Sequence, residues 1–249
     1  MYQFFVNSDQ INTDDKKVVI RGTDVNHIKN VLRMRPGEEV SVSNGEDGRE
    51  YRCAIESIND DEVILELRFI KEDSNELPAK IYLFQGLPKA DKMETIIQKN
   101  VELGVFELIP VSMKRCVVKL DQKKAASKKE RWQEISRAAA KQSKRGIIPE
   151  VRIPMTYKEA LEYAGENCDI KLLPYEMAED FNKTKELLSE IGRGSKVAVF
   201  IGPEGGFDDS EINDAISAGF DTITLGKRIL RTETAGMYVM SVLSYLLEG

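Results

Sequence analysis

Residues 197–207, Val-Ala-Val-Phe-Ile-Gly-Pro-Glu-Gly-Gly-Phe, run from an apolar stretch into a loop that sets three glycines around a proline. The apolar part, 197–201, is short and rich in β-branched and aromatic side chains, the pattern of a buried strand. Asp208 is followed three residues later by Glu211, the spacing of a capping box, so a helix is expected over 209–218 with Gly219 at its end. A second strand over 222–225 and a second helix over 233–247 repeat the unit. Strands alternating with helices in this way predict a mostly parallel sheet covered by helices.

The same rhythm extends toward the N-terminus, with strands expected over 81–87, 106–111 and 170–173. Helices are expected over 92–103, 127–143, 156–164 and 183–191, with Gly104 and Gly192 at the ends of two of them. It stops at the polar run 71–75, closed by Pro78, which marks a boundary between domains 1–72 and 73–249. Before that boundary the chain reads as short strands over 4–6, 18–20, 40–43, 51–58 and 63–70. Tyr51, Cys53 and Ile55 share one strand face, as do Val63, Leu65, Leu67 and Phe69. One helix, capped by Asp24, carries Val25, Ile28, Val31 and Leu32 on its apolar stripe. The expected N-terminal architecture is a small β-barrel.

Composition narrows the function. The chain has 249 residues, enough for a core that needs no disulfide. Cys53, Cys116 and Cys168 are far apart and His27 is the one histidine, so neither a disulfide framework nor a metal site is expected. No apolar run reaches membrane-spanning length and the start, MYQFFVNSDQ, lacks the layout of a signal peptide, so a cytoplasmic location is expected. Net charge is −6, yet residues 114–145 hold twelve bases against three acids, a local charge of +9 that leaves −15 elsewhere. So dense a basic segment is either a solvated helix face or a phosphate-binding surface, and its charge density favours the second. No Gly-Lys-Ser/Thr phosphate loop or GxGxxG fingerprint occurs, which disfavours a nucleoside triphosphate or NAD.

Three loops follow predicted strands, on the edge of an open α/β sheet where ligands bind: Leu172-Leu173-Pro174-Tyr175-Glu176, the glycine loop 200–207, and Leu225-Gly226-Lys227-Arg228-Ile229-Leu230-Arg231-Thr232-Glu233-Thr234-Ala235. The glycines let backbone approach a ligand closely. Ile229 and Leu230 either enter the core or line a pocket for an apolar ligand face such as adenine. Thr232 is placed to cap the last helix, whose Met237, Met240, Leu243 and Leu247 serve either core or interface.

Together with HIKNVLRMRPGEEV (27–40), KMETIIQKNVELGV (92–105) and RAAAKQSKR (137–145), these loops resemble the ribosomal RNA small subunit methyltransferase E family, within the SPOUT class of RNA methyltransferases. The resemblance covers the whole chain. It implies an α/β fold made of an N-terminal PUA-like RNA-binding β-barrel and a C-terminal SPOUT domain threaded into a deep trefoil knot. It further implies a homodimer that binds S-adenosylmethionine and methylates N3 of a uridine in the 16S ribosomal RNA of the 30S subunit. Carried over residue by residue, Leu173, Ile201, Gly202, Gly206, Leu225, Gly226, Ile229 and Leu230 would surround the cofactor. Arg33, Arg35, Lys114, Arg115, Lys144 and Arg145 would contact RNA. The chain departs from the family at Tyr2-Gln3-Phe4, where an early arginine is usual.

Uridine N3 must lose a proton before it attacks a methyl group, so a guanidinium near the uracil oxygens would stabilise the developing charge. Arg231, beside the cofactor loop, is the catalytic candidate; its alternative role is a salt bridge to the last helix. Glu204 or Glu233 would accept the proton or anchor loop amides, and His27 packs or touches RNA. Two rival functions stand beside this one: another SPOUT enzyme acting on a ribose 2′-oxygen or a transfer RNA base, and a non-catalytic RNA-binding assembly module.

Overall fold

The computed structural model describes residues 1–72 and 75–248. Its chain divides into two compact units: Met1–Glu76 with Ala140–Ile148, and Leu77–Ala139 with Pro149–Gly249. The boundary expected after residue 72 falls against Asp73 and Ser74, which lie outside the described residues.

The first unit contains β1 (Gln3–Phe5), β2 (Ile11–Asn12), β3 (Lys17–Arg21), α1 (Thr23–Asn26), β4 (Glu39–Ser43), β5 (Glu50–Ile58) and β6 (Glu62–Lys71). They form one six-stranded sheet in the order β1-β4-β5-β6-β3-β2. Val18, Ile20, Val40, Val42, Tyr51, Cys53, Ile55, Val63 and Leu65 make its core. The alternation expected on β6 breaks at Phe69, which is 59% exposed. The cause is a register shift between Arg52 and Cys53: Cys53 pairs with Leu67, but Arg52 pairs with Phe69 and Tyr51 with Ile70. Parity on β6 therefore flips, and Ile70 packs on the core in place of Phe69.

The helix also differs from expectation. Its cap position is Gly22 rather than Asp24, and after one α turn it widens into a π turn over His27–Val31. The wider turn rotates Val31 off the buried stripe, leaving it 61% exposed while Val25 and Ile28 stay buried. Asp24 instead accepts from the Lys141 ammonium at 3.2 Å. The recruited segment Ala140–Ile148 is tied in by backbone and side chain together: Gln3 Nε2 donates to the Arg145 carbonyl at 2.8 Å, and Ile148 N to Gly45 O at 2.9 Å.

The second unit runs β7 (Lys80–Gly86), α2 (Lys92–Glu102), β8 (Glu107–Ser112), α3 (Gln122–Gln142), β9 (Glu150–Val151), β10 (Met155–Thr156), α4 (Tyr157–Asn167), β11 (Ile170–Pro174), α5 (Phe181–Ser189), β12 (Lys196–Ile201), α6 (Asp209–Ser217), β13 (Asp221–Ile223) and α7 (Thr232–Glu248). Residues of α3 from Ala140 onward count with the first unit. The helix begins earlier than expected because the Asp121 carboxylate accepts the Lys124 amide at 2.8 Å. The sheet has seven strands in the order β10-β8-β7-β12-β11-β13, with β9 beside β8. Every pairing in it is parallel. Its centre is a stack of Phe84 on Phe200 with ring centroids 4.3 Å apart.

The capping box predicted at Asp208 and Glu211 is present at the start of α6. Gly219 takes φ +82° after that helix, whereas after α5 it is Gly194 (φ +87°), rather than Gly192, that adopts the left-handed conformation. Of the apolar residues singled out on α7, Met240 and Leu243 are in the core, while Met237 and Leu247 are half-buried.

Candidate active site

The chain leaves β7 for β8 on one side and returns to place β12 on the other, so strand order reverses between β7 and β12. A parallel sheet opens a crevice at such a point, outside the carboxyl ends of its strands. There the loops after β11, β12 and β13 enclose a cavity of about 1120 Å³. Its lining includes Tyr175 from the first loop, Gly202 and Gly206 from the second, and Leu225, Gly226 and Leu230 from the third.

Seven of the eight residues expected around the cofactor line this cavity: Ile201, Gly202, Gly206, Leu225, Gly226, Ile229 and Leu230. Leu173 does not; its side chain is fully buried below the strand end. Arg231 lines the cavity and is exposed. Ile229 also lines it while 84% exposed, so it stands at the rim, not in the core.

Local sequence explains the loop shapes. β13 ends at Ile223, earlier than the alternation implied. Thr224 turns the chain there, its amide donating to Thr184 Oγ1 at 3.0 Å and its own hydroxyl accepting the Gly226 amide at 3.2 Å. Gly206 (φ +67°) and Gly226 (φ +96°) adopt left-handed conformations, and a Cβ at either would stand in open space. Thr232 does not act as the expected cap: its hydroxyl donates to the Gly202 carbonyl at 2.6 Å and accepts from Gln85 Nε2 at 2.8 Å.

Lys92 and Glu204 form an ion pair in the cavity lining. The Glu204 carboxylate accepts the Lys89 amide at 3.1 Å and lies 3.0 Å from the Lys92 ammonium, which also reaches Glu233 at 3.4 Å. Burial favours the neutral Glu204, but its own backbone amide, Lys92 and the Lys89 amide outweigh burial and hold its carboxyl below the usual range. The Glu204 hydrogen bond conversely raises the pKa of Lys92, against a desolvation that lowers it. An ionised, paired Glu204 is a weak base and a firm anchor.

The expected RNA residues scatter. Arg33, Arg35 and Lys144 are exposed. Lys114 bonds Ser210 Oγ at 2.5 Å, and Arg115 bonds the Gly205 carbonyl at 3.3 Å, so both brace the loop before α6 while their side chains stay 61% and 45% accessible. Arg145 does not belong to any surface: its side chain is 3% exposed and its guanidinium is paired with Glu76. Lys92 and Thr224, which line the cavity, and Gln85, which bonds the lining residue Thr232, were passed over by sequence reading; Lys92 lay inside KMETIIQKNVELGV, read there only as a helix.

Among the described residues no three His, Cys, Asp or Glu side chains gather to hold a metal ion, and no helix is long and apolar enough to cross a membrane. All three cysteines are buried, and burial pushes the Cys53 and Cys168 thiols up to about 12, far from a reactive thiolate.

Residues 75–244 match the family of RNA methyltransferase domains, and residues 20–68 match the RNA methyltransferase PUA domain. With a parallel sheet and a switch-point cavity in one unit and a match to the PUA domain in the other, the chain is an RNA methyltransferase. It is 38% identical over 232 residues to the ribosomal RNA small subunit methyltransferase E of Bacillus subtilis (strain 168), a match covering 92% of this chain and 90% of that one. It therefore belongs to the ribosomal RNA small subunit methyltransferase E family. Two solved structures agree. One is the family's Neisseria gonorrhoeae protein bound to S-adenosyl methionine, with TM-score 0.80 and 32% identity over 99% of this chain and 98% of that one. The other is a putative methyltransferase from Legionella pneumophila with bound cofactor SAM, with TM-score 0.80 and 32% identity over 98% and 96%.

Proposed function

We propose that this chain transfers a methyl group from S-adenosylmethionine to N3 of a specific uridine in 16S ribosomal RNA. The observation that carries the reading is the convergence of the loops after β11, β12 and β13 on one cavity at the sheet's switch point. The donor set fits that cofactor. Ile201, Leu225, Leu230 and Phe207 offer apolar faces to a purine, and Gly206 and Gly226 keep their Cβ positions open. When bound, S-adenosylmethionine supplies a methyl group on a sulfonium already primed for transfer.

The chain's own work is then positioning and electrostatics. Arg231, exposed at the cavity, would hold the uracil oxygens and favour the N3 anion. Glu204, fixed as a carboxylate by Lys92 and Lys89, would lock the β12–α6 loop and leave proton removal to another group. The PUA-like domain, taken as residues 1–72, would hold RNA through Arg33 and Arg35, with Lys114, Arg115 and Lys144 adding positive charge; residues 73–249 would form the knotted SPOUT domain. Exposed Tyr238, Tyr245 and Leu246 along α7 support a homodimer, with its work done in the cytoplasm.

The test is methyl transfer from labelled S-adenosylmethionine to 30S subunits lacking the modification, with the nucleoside identified by mass spectrometry. N3-methyluridine is the expected product. RNA binding without transfer or cofactor binding would instead favour an assembly module.

A further inference from the structure

We propose that Gln85 is a positioning residue for methyl transfer: through Thr232 it fixes the direction of the Gly202 carbonyl and so the shape of the β12–α6 loop. The inference rests on that cavity being the S-adenosylmethionine site.

Gln85 is a fully buried polar side chain near the end of β7, where Leu83, Phe84 and Leu87 around it are also buried. Folding alone would be served by an apolar residue there. Its amide nitrogen donates to the Gly86 carbonyl at 3.0 Å and to Thr232 Oγ1 at 2.8 Å, and Thr232 Oγ1 donates to Gly202 O at 2.6 Å. A hydroxyl has one proton. Because Thr232 gives that proton to Gly202, it must accept from Gln85, and the chain of bonds has a single direction. Turning the Gln85 amide over would set its oxygen against the Gly86 carbonyl and against a hydroxyl whose proton is already committed. The amide is thus locked, even though Gln85 Oε1 is left without a partner. A buried acceptor left unmade is unfavourable, so the arrangement gives up stability while orienting a loop that lines the cavity.

Gly86 completes the brace. A Cβ there would meet Pro203 N and Cδ at 2.7 Å, so the end of β7 and the start of the loop touch backbone to backbone. Consecutive residues of β7 thereby hold two segments of the pocket wall: Gln85 reaches the start of α7, and Gly86 admits Pro203.

The test is calorimetric titration of the full chain with S-adenosylmethionine, alongside thermal unfolding of the free protein. Thr232→Val and Gln85→Met are each expected to raise Kd about tenfold, the scale of one hydrogen bond lost with its alignment. The double variant should be no weaker than the worse single one, because the two bonds act in series. Thr232→Ser, which keeps the hydroxyl, should restore most of the affinity. Single-variant Kd values within about twofold of wild type, or losses that multiply in the double variant, would overturn the proposal. If Gln85→Met fails to fold, Thr232→Val against Thr232→Ser carries the same decision. A wild-type chain that does not bind S-adenosylmethionine overturns the methyltransferase reading and this proposal with it, whereas wild-type binding with indifferent variants overturns the proposal alone.

Discussion

The Lys92 ammonium stands 3.0 Å from the Glu204 carboxylate, joining the start of α2 to the glycine loop after β12. Both side chains are about one-quarter to one-third accessible, so solvent screens the pair and its worth lies in placing the loop. Glu204→Gln is expected to weaken S-adenosylmethionine binding about threefold and to leave the fold intact. The pH dependence has a definite sign. Glu204 titrates lower in the folded chain than unfolded, so its contribution is present above the unfolded value, about 4.3, and is lost as pH falls through the folded one. Affinity curves of wild type and Glu204→Gln should therefore converge in acid and run parallel near neutrality. A difference that grows as pH falls would contradict the anchor role.

Neighbouring bases in the RAAAKQSKR stretch have opposite fates. Arg145 is buried and paired with Glu76, which also accepts the Gly146 and Ile147 amides at 3.2 Å, while Lys144 is exposed. Arg145→Met removes the guanidinium from the mostly buried Glu76 carboxylate and is expected to destabilise the first unit by about 3 kcal/mol. Lys144→Met should change stability by less than about 0.5 kcal/mol. Chemical denaturation of the two variants decides between them.

That contrast shows what periodicity and motif can and cannot read. The long strands and helices of the second unit lie close to where apolar spacing placed them, except that α3 starts five residues early, because buried parallel strands and amphipathic helices leave strong local patterns. The three loops were legible as ligand-facing because they follow strands. Arg145 and Glu76 are 69 residues apart, and no local pattern encodes a pairing at that distance. The same holds for Gln85 and Thr232, 147 residues apart. Phe69 was misplaced because a register shift depends on the partner strand. Thr232 was misread because a threonine before a helix ordinarily caps it, and here its hydroxyl serves two other groups.

Glycine tolerance should follow contact geometry. At Gly86 an added Cβ meets Pro203 backbone at 2.7 Å, so Gly86→Ala must displace the loop and is expected to cost about 1–3 kcal/mol of stability with a severe loss of cofactor affinity. At Gly226 the Cβ meets no protein atom but φ is +96°, so Gly226→Ala bears backbone strain of about 1–2 kcal/mol without a clash. Gly165, with open space and no positive φ, is the control. Thermal shifts in that order, with and without S-adenosylmethionine, are the measurement.

Lys119, Lys123, Lys128 and Lys129 on and before α3 make no ion pair among the described residues, unlike Arg131, which is held by Glu94 at 2.8 Å. If about five phosphates are neutralised on binding, the log-log salt slope should be near −4.5. Replacing Lys123 and Lys128 together with glutamine should reduce the slope by about 2 and leave the Kd for S-adenosylmethionine unchanged. Filter binding to a 16S RNA fragment between low and moderate salt reads the slope directly.

Arg231 is exposed at the cavity beside Leu230, five residues beyond the turn at Thr224–Gly226, and is pinned at its carboxyl side by helix α7, whose Thr234 and Ala235 amides donate to its carbonyl at 2.9 Å. Its backbone is therefore held while its guanidinium faces solvent, the disposition of a group that meets a substrate rather than one that builds a core. An Arg231→Ala chain should retain its S-adenosylmethionine affinity and its melting temperature but lose about 10²-fold or more in methyl transfer, as expected when a donor to developing negative charge is removed. Arg231→Lys keeps the charge without the planar fork and should recover only part of the rate. Single-turnover transfer to 30S subunits separates the outcomes: an unchanged rate in Arg231→Ala would remove Arg231 from the chemistry, and an equal loss of cofactor affinity would make it part of the binding loop.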